Sequence, residues 1–223
     1  MKNIIRNGAI GLAMFASTFS YAQEQEQEVV KEQKHESQEI QTLFRGGHTS
    51  SGGYGAISNK FTTIRGQYAN IVEVYGGWYV DHRLLIGLSA SALTNNLPVP
   101  FEYRADPFIN LSYGYGQVGM ITEYVVGSRK AVHATFSLFA GTGFTLQYQR
   151  SDWSNDNHHT HVHNDNWFFA TEPGAALELN IFKWMRFSTG VSYRATIGSN
   201  TVGLTDKDLS NISYNATLKF GKF

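Results

Sequence analysis

The chain has 223 residues, 42% of them apolar, and no cysteine, so disulfides, thiol catalysis and a lipid-modified N-terminal cysteine are excluded. Eighteen Lys and Arg balance eighteen Asp and Glu, and no basic block invites nucleic acid. Charged residues make up only 16%, against about 25% in an ordinary soluble domain, which suits an outer wall that faces something other than water.

Lys2 and Arg6 give a positive start, and Ala9 to Phe19 is a short apolar core. Ser20-Tyr21-Ala22 offers small residues at the two positions a signal peptidase reads. Residues 1–22 are therefore expected to be a signal peptide cleaved after Ala22. Gln23 to Gln41 holds six Glu against two Lys and almost nothing to bury. Such a stretch cannot offset its ordering entropy, and it lacks the apolar heptads of a coiled coil. Residues 23–52 are expected to form a disordered Glu/Gln-rich periplasmic tail, followed by one barrel domain over 53–223.

From Gly53 onward the pattern is strands. The first, Tyr54 to Ile64, alternates poorly. The second, Tyr68 to Val80, sets Val72, Val74, Trp78 and Val80 against Ile71, Glu73, Tyr75 and Tyr79. A turn at Asp81-His82 leads to the third, Arg83 to Leu93, where Leu84, Ile86, Leu88, Ala90 and Ala92 oppose Gly87, Ser89 and Ser91. The loop Thr94 to Pro107 carries three prolines as strand breakers. In the fourth strand, Phe108 to Val126, the apolar parity changes. Ile109, Leu111, Tyr113 and Tyr115 are odd; Val118, Met120, Tyr124 and Val126 are even. One extra residue near Gly116-Gln117 would restore the face, so a β-bulge is expected there.

The fifth strand, within Ala131 to Arg150, alternates most clearly. Val132, Ala134, Phe136, Leu138, Ala140, Thr142, Phe144, Leu146 and Tyr148 share one face; His133, Thr135, Ser137, Phe139, Gly141, Gly143, Thr145, Gln147 and Gln149 share the other. A period of two over so long a run belongs to a strand with one greasy face, as on a lipid-facing stave. A polar loop, Ser151 to Asn166, follows. The sixth strand, Trp167 to Phe182, turns Trp167, Phe169, Ala175, Leu177, Leu179 and Ile181 outward. Pro173 has no ladder donor, so Pro173-Gly174 is expected to be a bulge or bend. After a turn at Lys183-Trp184, the seventh strand shows Met185, Phe187, Val191, Tyr193 and Ile197 outward and Arg186, Ser188, Ser192, Arg194 and Thr196 inward. The loop Gly198 to Ser210 precedes the eighth, Asn211 to Phe223, with Ile212, Tyr214, Ala216, Leu218 and Phe220 outward.

Eight strands with short even turns and longer odd connections describe an all-β, eight-stranded, antiparallel, up-and-down transmembrane β-barrel in the outer membrane. The first outer connection, Arg65-Gly66-Gln67, is the short exception. A soluble ligand carrier would reverse the faces, with apolar residues inside and charge outside. Here the polar faces are rich in Gly, Ser and Thr and carry most strand charges. Glu73, Glu172, Glu178, Arg186 and Arg194 are expected to form an interior charge network, with Lys219 and His133 on the same face, because unpaired buried charge is costly. Trp78, Tyr79, Tyr124, Tyr148, Trp167 and Trp184 lie near strand ends, as interfacial girdles do.

The segments GQYANIVEVYGGWYVDHRLLIGLSA (Gly66 to Ala90) and GLTDKDLSNISYNATLKFGKF (Gly203 to Phe223) resemble small outer-membrane β-barrels of Gram-negative bacteria, particularly the uncharacterised set common in Bacteroidota. The resemblance covers roughly Gly53 to Phe223 and implies no activity. It implies insertion by the outer-membrane assembly machinery, which reads the last strand, here Tyr214, Leu218, Phe220 and Phe223. Phe223 has the inward parity of Ser213, a departure from barrels that end on an outward aromatic.

His158, His159, His161 and His163 stand beside Asp152, Asp156 and Asp165 in an outer loop. Neutral imidazoles at alternate positions can bind Zn, Cu or Ni, although nothing in the sequence fixes their geometry. Gly114-Tyr115-Gly116-Gln117-Val118-Gly119 matches G-x-G-x-x-G, but it lies in a strand with no helix after it and is no dinucleotide site. No nucleophile, base and acid are brought together by spacing, so no enzyme and no cofactor are expected. The expected partners are outer-membrane lipid, the assembly machinery and another envelope protein. The expected role is structural or interactive, with a narrow pore or a metal-binding loop as the alternative.

Overall fold

A computed structural model of the protein describes residues 52–80, 83–149 and 162–222, and the side chains of 162–164 are not among them. The expected signal peptide and tail up to residue 51, the Asp81-His82 turn, most of the histidine loop and Phe223 lie outside the described residues.

Eight strands make a closed antiparallel barrel in sequence order. They are β1 (Gly52–Ile64), β2 (Gln67–Val80), β3 (Leu84–Leu93), β4 (Leu111–Val126), β5 (Val132–Gln149), β6 (Val162–Phe182), β7 (Met185–Ile197) and β8 (Asn211–Gly221). The seam pairs β1 with β8 from Tyr54↔Gly221 to Phe61↔Tyr214. Closure removes every free edge, so each strand's backbone groups find partners without water.

The faces follow the alternation. Ile57, Val74, Leu88, Met120, Phe136, Leu138, Leu177 and Tyr214 are exposed on the outer wall. Glu73, Ser89, His133, Glu178, Arg186, Ser192 and Lys219 are buried inside. A continuous apolar exterior around a polar, ionic interior is stable only with hydrocarbon outside, and closed barrels of this kind belong to the outer membrane. Trp78, Tyr124, Trp167 and Trp184 project outward near strand ends, and Phe182, Trp184 and Phe220 stack on one another at 5.6 and 6.1 Å. Tyr79 is not part of this girdle: it is buried inside, stacked on Tyr54 at 5.0 Å.

No bulge exists at Gly116-Gln117. The ladders of β4 with β3 and with β5 run through these residues without a shift. The odd side chains Leu111, Tyr113 and Tyr115 point into the barrel together with Gln117, Ile121 and Glu123, and Ile109 packs on the same interior cluster. The apparent parity change reflects an interior that turns apolar toward the outer end, not a slipped strand. The fourth strand starts at Leu111, later than Phe108, and residues 97–99 pair with its first residues: Val99 N donates to Leu111 O at 2.9 Å and Tyr113 N to Leu97 O at 2.8 Å. At Pro173 the ladder to β7 lacks rungs at Glu172 and Pro173 but resumes in the same register, so this is an interruption in place rather than a bulge. Register shifts instead fall between Thr145 and Gln147 on β5 and between Asn180 and Phe182 on β6.

Candidate functional site: the barrel interior and its outer cap

Glu73, Glu172, Glu178, Arg186 and Arg194 all lie inside the barrel, as their parity requires. They do not form one network. Two separate clusters fill the interior.

In the cluster nearer the periplasmic end, Lys219 Nζ lies 2.9 Å from Glu123 Oε2 and 2.6 Å from Glu178 Oε2. Glu178 Oε1 is shared by Arg186 Nη1 and His133 Nε2, each at 2.9 Å. The hydroxyls of Tyr75, at 3.0 Å, and of Tyr54 donate to Glu123. In the middle cluster, Lys60 Nζ bridges Glu73 Oε2 at 3.0 Å and Glu172 Oε1 at 2.9 Å. Ser89 donates to Glu73 at 2.7 Å, and Ser192 and Gln117 donate to Glu172 at 2.5 and 3.2 Å. Arg194 joins neither set of carboxylates directly. Its guanidinium lies 4.9 Å from the Tyr115 ring centroid, and its Nε donates to Leu209 O at 2.7 Å.

Among the described residues, the four buried cations Lys60, Arg186, Arg194 and Lys219 match the four buried carboxylates Glu73, Glu123, Glu172 and Glu178. That balance matters because each buried ion costs several kcal/mol of desolvation, which only close partners offset. The sequence reading missed Lys60 and Glu123. Lys60 shares the parity of Ser58 and Thr62, and Glu123 that of Gln117, which was the available signal. Lys60 sits on the strand with the weakest alternation. Glu123 sits on the strand whose faces the assumed bulge confused.

Above the ion pairs the lumen is sealed by grease. Leu111, Tyr113 and Tyr115 of β4 pack with Ile64, Ile71, Phe139 and Phe168 from the walls. Leu97 and Val99 from the loop 94–110 and Leu204 and Leu209 from the loop 198–210 complete the cap. A short helix α1 (Asp206–Leu209) holds Leu209 in place, its first turn closed by a Thr205–Asp208 capping box. Between the two clusters the interior leaves about 40 Å³, lined among others by Lys60, Glu73, Glu123 and Glu172, room for only a few waters.

Arg65 ties the outer loops together. It occupies the two-residue β1–β2 turn with φ 52°, followed by Gly66 at φ 71°, the left-handed pair that tight hairpins prefer. Its amide donates to Asp208 O at 3.0 Å and its Nη1 to Gly203 O at 2.9 Å. Its guanidinium lies 4.4 Å from the Tyr103 ring centroid. One side chain thus joins the first hairpin to both neighbouring loops. Nothing in the sequence marked it.

His158, His159 and His161 lie outside the described residues. The backbone of His163 pairs with Gln147 on β5. Among the described residues no group of three or more His, Cys, Asp or Glu is placed to hold a metal ion. Gly114 to Gly119 lies within β4. Tyr214, Leu218 and Phe220 point outward from β8.

No protein-family model matches the chain, and no curated protein matches it. Among solved structures, the chain is similar to Neisserial surface protein A (NspA), with 9% identity over 78% of this chain and 97% of that one and a TM-score of 0.49. The N-terminal β-barrel domain of OprF from Pseudomonas aeruginosa gives 9% identity over 75% and 96%, with a TM-score of 0.45. A major outer membrane protein of Thermus thermophilus gives 6% identity over 76% and 99%, with a TM-score of 0.47. Likeness at this level transfers neither ligand nor partner. The wall, the interior and the strand order of this chain are those of a small eight-stranded outer-membrane β-barrel.

Proposed function

We propose that the protein is a closed, non-conducting outer-membrane barrel with a structural or interaction role, an accessory subunit of a larger envelope assembly. The observation that supports this reading is the doubly blocked lumen. Ion pairs from β1, β2, β4, β6, β7 and β8 cross it, and the apolar cap from loops 94–110 and 198–210 covers it. A path for solute would have to break both. The reading includes no enzymatic activity. The chemistry left to the outside is that of the outer loops, held in one arrangement by Arg65.

On this reading the chain is exported with cleavage after Ala22, belongs with the Bacteroidota-type barrels that its sequence resembles, and is inserted by the assembly machinery through β8. Planar-bilayer recording tests it. Purified protein should give no steady unit current, and a reproducible single-channel step would overturn the closed-barrel role. Affinity capture from native membranes then asks which envelope protein comes with the barrel.

A further inference from the structure

At the periplasmic end, opposite the cap, the three inner connections surround an open cleft of about 1190 Å³. Arg83 from the β2–β3 connection, Arg129 and Lys130 from the β4–β5 turn and Lys183 from the β6–β7 turn all line it. All four are exposed, and among the described residues none of the four is in an ion pair. Among the described residues no carboxylate lines the cleft. Glu123 and Glu178, which lie behind it in the barrel, are turned inward and already held by Lys219. The cleft is therefore strongly positive, unlike the balanced interior behind it.

Part of its remaining lining is apolar and continuous with the lipid-facing wall, beside the polar Ser128, Asn180 and Arg186. Tyr124, Ile181 and Phe182 line it and are also exposed on the barrel exterior. The ligand that fits has an anionic head for the basic turns and a hydrocarbon part for the wall beside them. A soluble anion would leave the apolar side unused.

The basic side chains are carried on braced backbone. Asn180 Nδ2 donates to Lys130 O at 2.8 Å, Asn180 N donates to Ala131 O at 2.9 Å, and Lys130 N closes the turn onto Gly127 O at 2.8 Å. Gly127 takes φ 78°, which a side chain would resist. Val125 N donates to Arg83 O at 2.7 Å. The backbone of the turns that carry Arg83 and Lys130 is thus set before any ligand arrives, which lowers the cost of binding.

We propose that this cleft binds the phosphate headgroup of an anionic phospholipid from the periplasmic leaflet, with Arg129, Lys130 and Lys183 as its principal ligands and Arg83 at its edge. The site is separate from the loop-presenting role proposed above and stands or falls independently of it.

Native mass spectrometry of the full-length barrel tests it, after equilibration in mixed micelles with equal phosphatidylglycerol and phosphatidylcholine. A basic side chain near an anionic lipid surface contributes about fivefold in affinity. The wild type should retain phosphatidylglycerol over phosphatidylcholine by about tenfold or more. The triple variant Arg129→Gln, Lys130→Gln, Lys183→Gln should lose most of the preference, keeping only the part that Arg83 supplies, and Arg83→Gln alone should lose that smaller part. Arg65→Gln, at the other end of the barrel, should keep it. Heat-modifiable gel mobility confirms that each variant is folded, and the Arg83→Gln measurement carries the test if the triple variant is not. Equal retention of the two lipids by the wild type overturns the proposal. So does an unchanged preference in the folded triple variant, or a loss in Arg65→Gln as large as in the triple variant. An acidic periplasmic protein captured by the wild type and released by the triple variant, without any lipid preference, would also overturn it.

Discussion

Lys219 on β8 meets Glu178 on β6 at 2.6 Å and Glu123 on β4 at 2.9 Å, so one ammonium joins three strands that are not neighbours in the sheet. Such a contact crosses the lumen instead of following the wall. Lys219→Met fits the space but leaves Glu123 without its cation and Glu178 with one fewer. Removing one partner of a buried pair costs about 3–5 kcal/mol. Urea unfolding in detergent micelles should show a loss of that size. Adding Glu123→Gln to Lys219→Met should recover part of it, since the stranded charge is then gone. A single variant as stable as wild type would mean that the cluster does not hold the barrel together.

Leu138 is about half exposed on the lipid face of β5, while Ser137 faces the interior. Leu138→Arg should cost about 2–4 kcal/mol if it lies near the bilayer midplane, measured as reversible unfolding from lipid vesicles. Ser137→Ala should be nearly silent. Equal tolerance at the two positions would contradict the assignment of inside and outside.

The strands whose exterior meets lipid throughout were legible, because lipid demands one apolar face and the narrow lumen demands a different one. In β2, β3, β7 and β8, and in β6 up to its end at Ile181-Phe182, the period of two holds for this reason. It failed on β4, where the interior itself becomes apolar. Leu111, Tyr113 and Tyr115 satisfy the cap, and hydrophobicity alone cannot tell a side chain buried under a cap from one dissolved in lipid. The charge network was legible in its members on β2, β6 and β7. Its division into two clusters was not, because which ion meets which depends on strand stagger around a closed wall. The role of Arg65 was hidden for a similar reason: its partners Tyr103, Gly203 and Asp208 are distant in sequence and meet only once the barrel closes.

Arg65→Ala removes the bond to Gly203 O and the stacking on Tyr103 but keeps a non-glycine residue in the same left-handed turn. The partly exposed contact lies outside the barrel core, so global stability should fall by about 1 kcal/mol or less. Local order should suffer more. Amide hydrogen exchange in 94–110 and 198–210 should accelerate severalfold, while β3 and β7 stay protected. Unchanged exchange in both loops would remove Arg65 as their shared tether, and with it the single arrangement of the presented surface.

Asp208 offers a test of the same cap by pH. Loss of hydration pushes its carboxyl up, but hydrogen bonds from the Thr205 hydroxyl at 2.6 Å and amide at 2.9 Å, with the Arg65 and Lys207 charges nearby, hold it below the ordinary Asp range. A depressed folded-state value means that this contribution to stability is fully present above the unfolded value of about 3.9 and is lost as pH falls through the folded one. The helix α1 should therefore keep its capping box at neutral pH and release it only in strong acid. Nuclear magnetic resonance of the refolded barrel should place the Asp208 midpoint below that of a free aspartate, with the Thr205 amide shift moving in step. In Asp208→Asn the amide shift should no longer respond to acid. A midpoint at or above the free value would show that Thr205 does not hold the carboxylate, leaving Leu209 in the cap without the helix turn that positions it.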